Sequence, residues 1–309
     1  MAKPFYKTLW GLAGVGMLGL GADAVAASKK RHPSPNAAPA ATAQSKAAPA
    51  GNNPAEDAMG LHARGAIVID AYSGQTLYEK NADTPQFPAS TTKVMTALLV
   101  IESGSLDQEV EITQEDSRVS ESSLEIKPGE RFSRQQMLYG LMLKSANDVA
   151  HALGRDNAGS VKAFAEKMTL RAQELGATST RFVNPHGLHH IEHYTTPRDL
   201  ALIARCAMQQ PLFRRIAATR KHPWVTSATV RELSNHNRLL ARFPGCTGVK
   251  TGYTNPAQQV LVSAALRNHR EVISVVMHTD KPGIWDDSIQ LLTFGLENEP
   301  ASEAPGTSP

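Results

Sequence analysis

Val260-Leu261-Val262-Ser263-Ala264-Ala265-Leu266, followed after Asn268-His269 by Val272-Ile273-Ser274-Val275-Val276-Met277, brings the chain back to strand after a long helical middle. Short runs rich in β-branched and apolar residues, separated by a polar turn, predict two strands joined tightly. Just upstream, Val249 to Gly252 predicts a third short strand, and downstream Trp285 to Leu296 predicts a closing helix. At the other end, Ala66-Ile67-Val68-Ile69, a turn at Ser73-Gly74 and Thr76-Leu77-Tyr78 predict a hairpin. Between these ends the pattern is helical. Ser90 to Ile101 is apolar nearly all round, which predicts a buried central helix ending near Gly104. Ser133 and Gln136 form a capping box before Met137, Leu138, Leu141 and Met142. Ala146 to Leu153 and Val161 to Leu175 read as further helices, and Thr196-Pro197 opens another through Met208. Strands from both ends must then share one sheet. The expectation is an α+β fold, with a mainly antiparallel sheet flanked by helices and an all-helical insert.

The 309 residues are 41% hydrophobic and 20% charged, enough to bury a core and too apolar for wholesale disorder. Net charge is +3 and no basic run extends beyond Lys29-Lys30-Arg31, so no nucleic-acid partner is expected. Two cysteines, Cys206 and Cys246, exclude a disulfide scaffold and a cysteine-rich zinc module. Cys206 falls in an apolar helix and Cys246 in an expected loop; two unbridged, buried thiols are the reading. Residues 1–26 run from Lys3 and Lys7 through the apolar stretch Leu9–Leu20 to Ala24-Val25-Ala26. That is the order of a signal peptide, cut after Ala26, and its apolar core is shorter than the roughly 20 residues of a membrane span. Export to the periplasm or cell-wall space follows, with no stable membrane anchor. Residues 27–60 are rich in Ala, Pro and Ser and read as a flexible linker; 299–309 read as a tail. The folded domain is expected over 61–298.

Three segments could carry chemistry. Ser90 and Lys93 stand three apart at the head of the buried helix, so their side chains are neighbours. A serine hydroxyl needs a base, and a lysine can be one only if burial and a second cation lower its pKa from about 10.4. Alone, Ser-x-x-Lys arises by chance about once in a chain of this length, and it also suits a helix-capping serine. Ser145 and Asn147 lie between two helices and equally suit a cap. Lys250-Thr251-Gly252 is rarer: a cation, a hydroxyl and a residue without a side chain on one strand suit a carboxylate ligand.

Together and in this order, Ser-x-x-Lys, Ser-x-Asn and Lys-Thr-Gly resemble the set of penicillin-binding proteins and class A β-lactamases. Over 61–298 the chain resembles the serine D-alanyl-D-alanine carboxypeptidases, the low-molecular-mass penicillin-binding proteins. The stretches Pro88–Thr96, Arg181–Leu188 and Lys250–Thr254 also carry the likeness. The resemblance implies peptidoglycan stem peptides ending in D-Ala-D-Ala as substrate and β-lactams as ligands. It implies Ser90 as nucleophile, Lys93 as general base and Ser145 as proton relay. Asn147 would bond the peptide, Lys250 and Thr251 the terminal carboxylate, and Gly252 would admit the ligand backbone. The N–H groups of Ser90 and Tyr253 would form the oxyanion hole.

Class A β-lactamases add a Glu-x-x-Leu-Asn stretch for deacylation. Neither Glu166-Lys167-Met168-Thr169-Leu170 nor Glu174-Leu175-Gly176 fits it, so penicillin should acylate Ser90 and leave slowly. The sequence past Leu296 offers no extra β domain or membrane-surface helix, as in the short members that act as endopeptidases. A DD-endopeptidase, a class A-like β-lactamase and a non-catalytic penicillin or peptidoglycan sensor are the alternatives. His189 and His193 are four apart but no carboxylate set completes a metal site; neither metal nor organic cofactor is expected.

Overall fold

The computed structural model describes residues 59–298. The signal peptide, nearly all of the linker and the tail therefore lie outside the described residues. A five-stranded sheet runs in the order β2-β1-β9-β8-β7, with every neighbouring pair antiparallel. Its strands are β1 (Gly65–Asp70), β2 (Thr76–Lys80), β7 (Cys246–Thr254), β8 (Gln258–Arg267) and β9 (Arg270–Thr279). β1 pairs with β9 over its whole length, so the two ends of the domain meet in one sheet as the element order requires. Asn268 and His269 both take positive φ (48° and 64°), the left-handed pair that a two-residue hairpin turn needs.

Side chains of a strand alternate between its faces. Ile67 and Ile69, Val260 and Val262, and Ile273 and Val275 enter the larger core beneath the helical insert. Ala66 and Val68, Leu261 and Ala265, and Val272 and Val276 enter the smaller core under the closing helix α8 (Gly283–Glu297). Both faces are covered, which is why these strands read as continuous apolar runs.

The insert holds α1 (Lys93–Glu102), α2 (Arg134–Leu143), α3 (Asn147–Ala158), α4 (Val161–Glu174) and α5 (Pro197–Gln209). Its caps follow the sequence. Ser133 Oγ accepts from Gln136 N at 3.2 Å, and Thr196 Oγ1 accepts from Asp199 N at 3.1 Å. The capping box at Ser133 is only half made, because the Gln136 side chain donates instead to the carbonyl of Val225 at 2.6 Å. Residues Lys93 to Val100 of α1 are all buried, as an all-round apolar pattern demands.

Five differences from the sequence reading matter. The central helix begins with a 3₁₀ turn over Ala89–Thr92, and α1 proper starts only at Lys93. A further helix α6 (Pro211–Ala218) follows α5, tied to β9 by Arg214 bonding Glu271 through two contacts of 2.6 Å. A hairpin of β5 (Lys221–Val225) and β6 (Val230–Ser234), and a short α7 (Leu239–Arg242), precede β7. A two-stranded ribbon of β3 (Glu109–Glu111) and β4 (Arg131–Ser133) leads into α2. Cys246 opens β7 rather than sitting in a loop, and both cysteines are free and only partly buried.

Candidate active site

In a 3₁₀ turn, residues three apart eclipse one another. The 3₁₀ start therefore aligns Ser90 with Lys93, and Lys93 Nζ lies 3.1 Å from Ser90 Oγ. Lys93 is fully buried. Its amine also donates to Asn147 Oδ1 at 2.7 Å and to the carbonyl oxygen of His186 at 2.6 Å. A neutral amine keeps two N–H donors and one lone pair. The two short contacts take the donors, and the lone pair is left facing the serine hydroxyl, where a base has to point.

Burial is the largest influence holding the Lys93 amine well below its ordinary pKa; the cation of Lys250 pushes the same way, and the Asp148 carboxylate opposes them. Lys250 is 2% exposed, and burial brings its own pKa down to about 7. Its Nζ bonds the Thr251 carbonyl at 2.9 Å. Two ammonium groups this close in a dry site disfavour each other, so the pair titrates together. A carboxylate brought against Lys250 favours its charged form and leaves Lys93 to be the neutral one. The rate of acylation should therefore be bell-shaped in pH, rising as Lys93 loses its proton and falling as Lys250 does. Lys250→Gln removes the repelling cation, raises the Lys93 pKa and should move the ascending limb to higher pH. A wild-type profile flat between about pH 5 and 9 would exclude the pair from the rate.

β7 is the edge strand of the sheet, and it lies against the 3₁₀ turn. A Cβ added to Gly252 would stand 2.9 Å from Ser90 N, closer than real side chains come, and a tight 3.1 Å from Thr91 N. Glycine at 252 is what lets the strand approach the nucleophile's backbone. Tyr253 beyond it is exposed and bonds Asn255 Oδ1 at 2.8 Å.

Ser145 occupies the turn between α2 and α3 with φ of 62°, a left-handed conformation that costs a non-glycine residue about 1–3 kcal/mol. It is 5% exposed, and its Oγ has no hydrogen-bond partner among the described residues. The turn is fixed from the next residues on. Asn147 N donates to Ser122 O at 2.9 Å, and Asn147 Nδ2 donates to Glu121 O at 2.8 Å. Asp148 accepts from Ser123 Oγ at 2.6 Å and Leu124 N at 3.0 Å. Asn147 is thus fully engaged within the protein, holding Lys93 on one side and the 120–122 loop on the other.

Residues 181–195 supply a wall of the site; Arg181–Leu188 carry the family likeness, but the sequence predicts no role for His186 or His193 there. His186 offers its backbone carbonyl, and a backbone acceptor leaves no trace in residue type. The Asn184-Pro185-His186-Gly187 turn signal was the available hint. Asn184 Oδ1 accepts from the N–H groups of His186 (3.2 Å) and Gly187 (2.7 Å). His193, fully buried, accepts at Nδ1 from Val183 N (3.1 Å) and bonds Thr92 Oγ1 through Nε2 (2.8 Å). Burial pushes its pKa down to about 3, so it is neutral and pins this loop to the 3₁₀ turn. His189 packs edge-on against Phe87 at 4.6 Å, so the two histidines serve packing on different partners.

The structure thus brings together Ser90 and a fully buried Lys93, the Asn147 that follows Ser145 in the helical insert, and the Lys-Thr-Gly edge strand against the turn of Ser90. The D-alanyl-D-alanine carboxypeptidase model of peptidase family S11 matches residues 51–281. The chain belongs to that family and is a serine hydrolase of the carboxypeptidase type. It is 34% identical over 258 residues to D-alanyl-D-alanine carboxypeptidase DacB2 of Mycobacterium tuberculosis, covering 82% of this chain and 87% of that protein. It is 32% identical to the D-alanyl-D-alanine endopeptidase of Escherichia coli, over 78% of this chain and 77% of that protein. The crystal structure of the Streptomyces K15 DD-transpeptidase superposes with a TM-score of 0.72 at 33% identity, covering 77% of this chain and 98% of that one.

Proposed function

We propose that the chain is an exported enzyme that removes the terminal D-Ala from peptidoglycan stem peptides through an acyl-enzyme on Ser90. The observation that carries the reading is the fully buried Lys93 amine, 3.1 Å from the Ser90 hydroxyl with its two donors occupied elsewhere. The peptide adds to the free edge of β7, a common mode of peptide capture. Its terminal carboxylate meets Lys250 and Thr251, and its penultimate carbonyl meets the N–H groups of Ser90 and Tyr253. Each such donor is typically worth about 2.7–4 kcal/mol in the transition state. Lys93 takes the hydroxyl proton as Ser90 Oγ attacks. Ser145, with its free hydroxyl, passes a proton to the departing amine, and water then releases the acyl group. Asn147 acts as a positioning residue for Lys93. The 1–26 leader and 27–60 linker are part of the same proposal, as the route and the tether; among the described residues no helix is long and apolar enough to cross a membrane.

Incubation with a D-Ala-D-Ala pentapeptide should release free D-Ala. Penicillin should leave a long-lived adduct that mass spectrometry places on the peptide holding Ser90. Rapid penicillin turnover would favour a β-lactamase, and an adduct without D-Ala release would favour a sensor; either result removes this reading.

A further inference from the structure

The roles proposed above set the direction of the substrate. Its terminal carboxylate meets Lys250 and Thr251 and its penultimate carbonyl meets Tyr253 N, so the peptide runs antiparallel to β7. The penultimate residue then stands opposite Tyr253, the two exchanging N–H and C=O as a hydrogen-bonded pair. Along β7 the faces alternate. Lys250 and Gly252 are buried, and Gly252 faces the Ser90 turn. Thr251 is half-buried and Tyr253 is 53% exposed.

Opposite residues of an antiparallel pair share a face when both are L, and successive residues alternate. A D-residue inverts its own direction. The methyl of the penultimate D-Ala therefore points to the face of Gly252, towards the turn of Ser90. An L-residue in the terminal position would point the same way. A terminal D-residue instead sends its side chain to the other face, between Thr251 and Tyr253.

The Tyr253 ring is held open at this place. Its hydroxyl donates to Asn255 Oδ1 at 2.8 Å, which draws the ring towards the turn after β7 and away from Thr251. The turn is itself braced. Thr254 Oγ1 accepts from Ala257 N at 3.2 Å, and Gln258, left-handed with φ of 56°, donates from its side chain to the carbonyl of Asn255. An aromatic surface already ordered loses little rotamer freedom when a ligand covers it. The single methyl of D-Ala reaches only its edge, whereas a longer apolar side chain lies along it.

Resting on the carboxypeptidase reading above, we propose that the Tyr253 ring is a specificity surface for the residue released, so that the enzyme removes terminal D-residues with larger apolar side chains, such as D-Leu, as well as D-Ala. The bonds are those already described. Ser90 Oγ bonds to the penultimate carbonyl carbon, the carbon–nitrogen bond breaks, the serine proton goes to the departing amine, and water later hydrolyses the ester.

Diacetyl-Lys-D-Ala-D-Ala and diacetyl-Lys-D-Ala-D-Leu differ only in the residue released. Wild-type kcat/KM for the two should agree within about three-fold, a difference of ~0.65 kcal/mol. Tyr253→Thr should lower D-Leu release relative to D-Ala release by about ten-fold, or ~1.4 kcal/mol. Tyr253→Phe keeps the ring and should hold the ratio within about three-fold of wild type. Each ratio is taken within one protein, so any change in the oxyanion hole cancels, and acylation by penicillin reports that the site is folded. D-Ala release by wild type with D-Leu release more than about ten-fold slower overturns this proposal alone. So does a ratio that Tyr253→Thr leaves unchanged, or one that Tyr253→Phe lowers as far as Tyr253→Thr does. Failure of wild type to release D-Ala overturns the carboxypeptidase reading itself.

Discussion

Lys93→Arg should abolish labelling of Ser90 by fluorescent penicillin and lower D-Ala release by about 10³-fold or more, the upper range for losing a general base. Arginine keeps the charge but cannot surrender a proton near neutral pH. Three oxygens now surround the lysine amine, at 2.6, 2.7 and 3.1 Å, in a site closed to solvent. A guanidinium there would stay cationic, donate to all three and leave no lone pair for Ser90. It is also larger than the space it enters, and overpacking a core typically costs about 1–3 kcal/mol. Lys93→Met therefore accompanies it: similar in length, uncharged, and equally unable to act as a base. Both variants should melt cooperatively and both should fail to acylate. Near-normal labelling of either folded variant would take Lys93 out of the mechanism and leave the serine to find its base elsewhere.

The candidate segments were legible because each is short and defined by residue type. The roles proposed for Ser90, Lys93, Ser145, Lys250 and Gly252 rest on side chains, or on the lack of one. Even the contact between Ser90 and Lys93 followed from spacing, although it is made through a 3₁₀ turn and not a regular α-turn. The His186 carbonyl could not be read the same way, since every residue but its geometry offers that group. The orientation of Asn147 towards Lys93 depends on a loop, 120–122, that no periodicity announces. α6 was passed over because Leu212, Phe213 and Ile216 give one short apolar face after Pro211, too little for a helical period to stand out. The β5–β6 hairpin carries Pro223 within a strand, and Val225 and Val230 are exposed, so neither strand shows the alternation that marks a half-buried sheet. The main sheet was easier: it is buried on both faces and leaves long apolar runs.

Gly187→Ala should be among the most damaging small substitutions in the domain, although residue 187 touches no substrate. Gly187 has φ of +88°, and a Cβ placed on it would stand 1.9 Å from the carbonyl oxygen of Ala89 and 2.9 Å from Thr92 Oγ1. The obstruction at Ala89 is backbone and cannot rotate aside. Ala89 itself is buried with φ of 47°, and it immediately precedes Ser90. His186, immediately before Gly187, supplies the carbonyl that orients Lys93. One added methyl group thus drives the loop carrying the base's anchor away from the turn carrying the nucleophile. Left-handed backbone costs an alanine about 1–2 kcal/mol, and relieving the clash adds about 1–3 more. A loss of roughly 2–5 kcal/mol lowers Tm by about 2–4 °C per kcal/mol for a domain of this size. Misplacing reacting groups by about 1 Å can cost 10²-fold, so acylation should fall about that far in whatever fraction remains folded. Gly159→Ala is the matched control. Gly159 has φ of +78° at the end of α3, with nothing within 4 Å of an added Cβ, so it carries the strain without the collision. It should lose about 1–2 kcal/mol and keep its rate of penicillin labelling. If the two variants melt alike and acylate alike, the contact between Gly187 and Ala89 is not what sets Ser90 against Lys93.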